Sequence, residues 1–141
     1  APSGANQWRG DDIQFGVYYG SAGFLAIGQA STTYHELGFA LTADGPQAYR
    51  WLAQDNAVAV GAVEDLELAV VNEDSRTFYE ARIPWTTLLK PGQQPKAGHE
   101  MAFSFLLNDN DGDGRRGWIE YTSGIGEAKN TELFARIKLL K

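Results

Sequence analysis

Ile13-Gln14-Phe15-Gly16-Val17-Tyr18-Tyr19 carries the reading that decides the fold. Ile13, Phe15, Val17 and Tyr19 fall on one phase of a two-residue repeat, and Gln14, Gly16 and Tyr18 on the other. Successive side chains of a β-strand point to opposite faces, so this stretch predicts a strand with one apolar face. The same period returns in Leu37, Phe39 and Leu41; in Leu66, Leu68 and Val70; and in Tyr79, Ala81 and Ile83. It returns again in Met101, Phe103, Phe105 and Leu107, and in Leu133, Ala135, Ile137 and Leu139. Glycine and Asp/Asn clusters separate the runs, which together predict an all-β, antiparallel sandwich. Ile83-Pro84-Trp85-Thr86-Thr87-Leu88-Leu89 should end a strand, because Pro84 cannot donate to the ladder, and turn into a short helical or irregular crossover. Lys90 to Gly98 reads as an exposed loop, and no long helix or internal repeat is required.

The 141 residues, 43% of them hydrophobic, suit one domain with a substantial core, so residues 1–141 are read as a single unit. The 18 acidic and 12 basic residues leave a formal net charge of -6, with Arg115-Arg116 the only adjacent basic pair. That balance argues against nucleic acid or an anionic membrane surface as partner. No apolar run approaches the roughly 20 residues that span a bilayer. Cysteine is absent, which excludes a thiolate metal site and a cysteine nucleophile.

Asp109-Asn110-Asp111-Gly112-Asp113-Gly114, followed by Glu120, fits a calcium-loop pattern, with Asp109, Asp111, Asp113 and Glu120 as candidate ligands. Calcium takes about six to eight hard oxygens, and closely spaced carboxylates on a glycine-bent loop supply several. The flanks read as strands rather than helices, and Arg115 and Arg116 bring two cations beside the ion. The alternative is a hairpin loop whose Asn and Asp side chains bond their own backbone. Catalytic patterns are thin. Asp11 and Asp12 are adjacent on a strand and point to opposite faces, so they cannot flank one glycosidic bond. No G-x-S-x-G turn, P-loop or G-x-G-x-x-G is present.

Aromatics outside the core phase are the better lead, since the apolar face of a pyranose stacks on an indole while neighbouring polar groups bind its hydroxyls. Trp8 lies among Gln7, Arg9 and Asp11 ahead of the first strand; Trp51 follows Tyr49; Trp118 opens Trp118-Ile119-Glu120-Tyr121. Gln14, Gly38, Ala40 and Ser104 share the non-core phase of three strands. They form either a shallow floor for a ligand or an ordinary solvated face.

In order, Trp8-Arg9-Gly10-Asp11-Asp12-Ile13-Gln14-Phe15, Tyr34-His35-Glu36-Leu37-Gly38-Phe39-Ala40-Leu41, Tyr79-Glu80-Ala81-Arg82-Ile83-Pro84-Trp85, Asn108-Asp109-Asn110-Asp111-Gly112 and Gly117-Trp118-Ile119-Glu120-Tyr121 resemble the family 9 carbohydrate-binding modules. The resemblance implies a jelly-roll β-sandwich without catalytic activity, attached to secreted or surface-anchored bacterial proteins that act on polysaccharide, such as glycoside hydrolases. It gives Trp8 the role of one wall of an aromatic clamp on a sugar and Gln14 that of a hydrogen-bonding partner. Trp118 is the candidate second wall, with Trp51 and Arg116 as further ligand-binding candidates. Trp85 is assigned to the core, and a structural calcium ion is implied. Glutamate is common in the family at the position of Gln14, and polar residues at those of Gly38 and Ala40. Family members carry strands before the tryptophan segment, so this chain is expected to be a piece of a longer polypeptide lacking its first strands. Two other classes compete: a structural or assembly sandwich packing on a catalytic partner, and a haem module using Met101 with His35 or His99. Met101 is in phase with Phe103 and Phe105, which is a core position, so no haem is expected.

Overall fold

The computed structural model describes residues 1–19, 34–127 and 129–140. Among these residues nine strands form, in chain order β1 Asp12–Tyr19, β2 His35–Thr42, β3 Gly45–Leu52, β4 Gly61–Ala62, β5 Glu67–Glu73, β6 Arg76–Arg82, β7 Glu100–Asp109, β8 Gly117–Glu120 and β9 Ala135–Lys138. One seven-stranded antiparallel sheet has the order β4-β3-β2-β1-β7-β8, with β9 also pairing β7. β8 takes the C-terminal half of β7 and β9 its N-terminal half, so both lie along the side of β7 away from β1. Among the described residues the second layer is the β5–β6 hairpin. This is the antiparallel β-sandwich the alternation predicts. Among the described residues no helix is long and apolar enough to cross a membrane.

The predicted core phase of β1 is correct. Phe15 and Val17 join Leu37, Phe39, Ala48, Val63, Leu88 and Met101 in the main core, beneath Leu68 and Tyr79 of the hairpin. Trp85 packs against the same core, with its ring edge on Tyr19 at 5.8 Å between centroids. The Pro84 segment makes the expected short 3-10 turn over Trp85–Thr87. At the C-terminus the alternation misleads. Leu133 lies in a 3-10 turn, Thr131–Leu133, and both it and Ile137 are exposed, whereas Thr131 and Phe134 are buried. Asn130 caps that turn by accepting from the Glu132 N–H, which sets the phase in which the chain enters β9.

The opposite face of the large sheet is not an open solvated surface. Gln14, Gly38, Ala40 and Ser104 are all buried. Tyr34, Ala102, Leu106, Ile125 and Phe134 form a second apolar cluster there, with Ile125 and Phe134 contributed from between β8 and β9. Gly16 sits under the Phe134 ring, and Gly38 under Trp51; a Cβ at either position would overlap the ring above it. Ser104 is covered by Thr122, whose carbonyl accepts its hydroxyl at 2.6 Å.

Candidate functional site

Where that covering stops, the sheet carries an open cavity of about 490 Å³ lined by Trp8, Gln14, Glu36, Trp51, Leu52, Arg115, Ile125, Gly126 and Lys129. Three of the five sequence candidates, Trp8, Gln14 and Trp51, come together here. Trp8 stands on the 3-10 turn Gly4–Arg9, which leads into β1. Buried Gln7 anchors that turn, its Nε2 donating to the Gln47 carbonyl at 3.4 Å. Trp51, near the end of β3, is fixed at both ends: Nε1 donates to the Ala5 carbonyl at 3.0 Å and the ring lies over Gly38. A Cβ on residue 38 would collide with this indole, so the glycine makes room for it. Gln14 on β1 and Glu36 on β2 supply polar groups to the floor.

Glu36 is buried and already matched. Its two oxygens accept from Lys129 Nζ at 2.7 and 2.8 Å, and the Tyr34 hydroxyl donates to Oε2 at 2.6 Å. Burial, and then the neighbouring Glu36 charge, push the Tyr34 phenol far above its ordinary range, so it stays a donor. Beneath the site lies Asp12, 2% exposed. Its Oδ1 accepts from Asn108 at 2.5 Å, while Oδ2 has no partner among the described residues. Burial raises the Asp12 carboxyl to about 6, against the lowering effects of Asn108, Gln14 and Arg115.

Of the adjacent arginines, Arg115 and not Arg116 lines the cavity. Arg116 is outside the cavity: its N–H donates to the Asp109 carbonyl at 2.8 Å, closing the β7–β8 hairpin, and its exposed guanidinium pairs with Asp111. Arg115 lines the cavity instead, its guanidinium 4.3 Å from the Trp118 ring centroid and 5.8 Å from that of Trp8. Trp118, the candidate second wall, therefore sits behind Arg115, 39% exposed and packed on Gly126, and Trp51 is the other indole of the cavity itself.

The four candidate calcium ligands are not brought together, and among the described residues no group of three or more His, Cys, Asp or Glu side chains is placed to hold a metal ion. Asp111 is paired with Arg116. Glu120 turns away to accept from the Ile125 and Gly126 N–H groups, shaping the cavity wall. Asn110 bends the loop by accepting from the Gly112 and Gly114 N–H groups at 2.8 and 3.1 Å, which is the hairpin alternative. The same residue ties the loop to the segment before β1, donating from Nδ2 to the Arg9 carbonyl at 2.6 Å and from N–H to Asp11 Oδ1 at 2.8 Å. The acidic loop thus braces Trp8, and these residues do not fit a calcium site. Of the residues offered for haem, Met101 is in the main core, buried His35 accepts from the Gln54 N–H at 3.4 Å, and His99 stacks on Tyr19 at 4.0 Å between ring centroids, its Nε2 without a hydrogen-bond partner among the described residues.

Sequence reasoning missed Glu36, Leu52, Arg115, Ile125, Gly126 and Lys129. Glu36 was within reach, since it shares the phase of Gly38 and Ala40 on β2. Ile125, Gly126 and Lys129 come from an irregular segment with no periodicity to place them. The chain matches the family described as carbohydrate family 9 binding domain-like over residues 25–141. No curated protein and no solved structure matches it.

Proposed function

Since the chain belongs to the carbohydrate family 9 binding domain-like family, we propose that the cavity between Trp8 and Trp51 binds a sugar. The observation that carries this reading is the combination of two indoles with Gln14, Glu36, Arg115 and Lys129 around about 490 Å³ of open space. A pyranose has apolar C–H faces and a rim of hydroxyls, and it needs apolar walls and convergent polar groups of this kind. The domain itself does no chemistry in this reading. It holds a longer, exported, polysaccharide-acting bacterial polypeptide at its polysaccharide.

Trp8→Ala and Trp51→Ala should each lower sugar affinity by at least about tenfold, as expected for aromatic anchors at the centre of a binding site. Glycan-array screening followed by titration calorimetry reads this, with thermal melting to show that the variants fold. Unchanged binding in both variants would move the site elsewhere.

A structural or assembly role is supported by a separate observation. An apolar groove of about 340 Å³ runs between the hairpin and the large sheet, lined by Ile13, Phe15, Phe39, Tyr79, Ile83, Phe103 and Phe105 among others. A blank glycan array would favour that role over sugar binding.

A further inference from the structure

The charges around the cavity are not equivalent. Lys129 and Glu36 satisfy each other, and Tyr34 completes the set on Glu36. Arg115 has no such partner. No hydrogen-bond acceptor and no carboxylate lies within bonding reach of its guanidinium among the described residues, and its Nε is buried without a partner. Its contacts are the faces of Trp118 and Trp8. A guanidinium resting on indole faces keeps its planar fork free, and that fork matches the two oxygens of a carboxylate. Leaving a partly buried cation unmatched is unfavourable, so an anion arriving with the ligand gains from both the pairing and the desolvated surroundings. Asp12, the carboxylate on which the Arg115 charge acts, is not ion-paired with that arginine.

We infer that the sugar taken by this cavity is an acidic one, a hexuronate residue whose carboxylate Arg115 binds while its ring stacks on Trp8 and Trp51. This rests on the reading of the cavity as a sugar site. The chain's net charge of -6 does not oppose it, because fields from scattered surface charges fade within about 8 Å at physiological salt and one uronate needs only one matched cation.

The test is titration of galacturonate and glucuronate, as monomers and as di- and trisaccharides, against galactose and glucose oligomers of the same lengths. The native domain should bind the acidic series about ten- to a hundredfold more tightly, the range of a charge-assisted hydrogen bond. Arg115→Gln should remove that preference while leaving weak binding of neutral sugars, and Arg115→Lys should restore only part of it. Raising salt should weaken acidic binding more than neutral binding, which keeps the question decidable in the native protein should a variant fail to fold. Equal or tighter binding of the neutral series overturns the inference while leaving sugar binding in place. Binding of neither series removes both.

Discussion

Two buried residues set opposing pH responses. Burial holds the Asp12 carboxyl near 6, above its ordinary 3.8, so the folded chain takes up this proton more readily than the unfolded one. Between those values stability rises as pH falls, and above about 6 the buried charge is a cost. His35 goes the other way: burial, and then the Arg50 charge, lower it from 6.5 to about 4. The unfolded chain binds that proton more tightly, so stability is lost as pH falls through that window. Over roughly pH 4 to 6 the two slopes offset each other. Asp12→Asn keeps an acceptor for Asn108 and removes one slope. It should be at least as stable as the native protein at pH 7.5 and lose stability faster on acidification. Urea denaturation at pH 4.5 and 7.5 measures this; parallel profiles for the two proteins would show that Asp12 titrates as an exposed carboxylate does.

Among the elements, the hairpin β5–β6 turns through Asp74 and Ser75, both with positive φ, 47° and 64°. A two-residue loop with both central residues left-handed matches the twist of its strands but favours Asn-Gly. Ser75→Gly should therefore stabilise the domain by about 1 kcal/mol, the cost of placing a side chain in that region. An unchanged or lower midpoint in denaturant would show that the serine carries no strain. The strands on either side were legible because Leu68, Val70, Tyr79 and Ala81 alternate; the turn residues gave no such signal. The same contrast runs through the site. Trp8, Gln14 and Trp51 could be found from strand phase and aromatic placement. Gly38 looked like a bare floor, because the indole that covers it comes from β3, a partner no local pattern names. Arg115 and Arg116 are neighbours in an irregular loop, where no alternation decides which faces inward.

Across the molecule, the described residues form two apolar clusters, one on each side of the large sheet, and the smaller one supports the cavity. Ile125 belongs to that cluster and also lines the cavity, with Phe134 packed edge-on to Tyr34 at 5.3 Å between ring centroids. Phe134→Ala should cost about 3–5 kcal/mol and loosen the cavity wall, whereas Met101→Ala in the main core should cost about 2–5 kcal/mol. Calorimetry below the melting temperature should find ligand affinity reduced in the first variant and unchanged in the second. Equal loss of affinity in both would mean that the sheet does not insulate one side from the other. The guanidinium between Trp8 and Trp118 has a further consequence. Trp8 and Trp51 line the cavity and Trp118 lies behind Arg115, while Trp85 packs against the main core across the sheet. Intrinsic fluorescence therefore divides into two emitters that a ligand would touch, one that it would reach through Arg115 and one across the sheet, so the protein carries its own optical reporter of occupancy with a built-in reference.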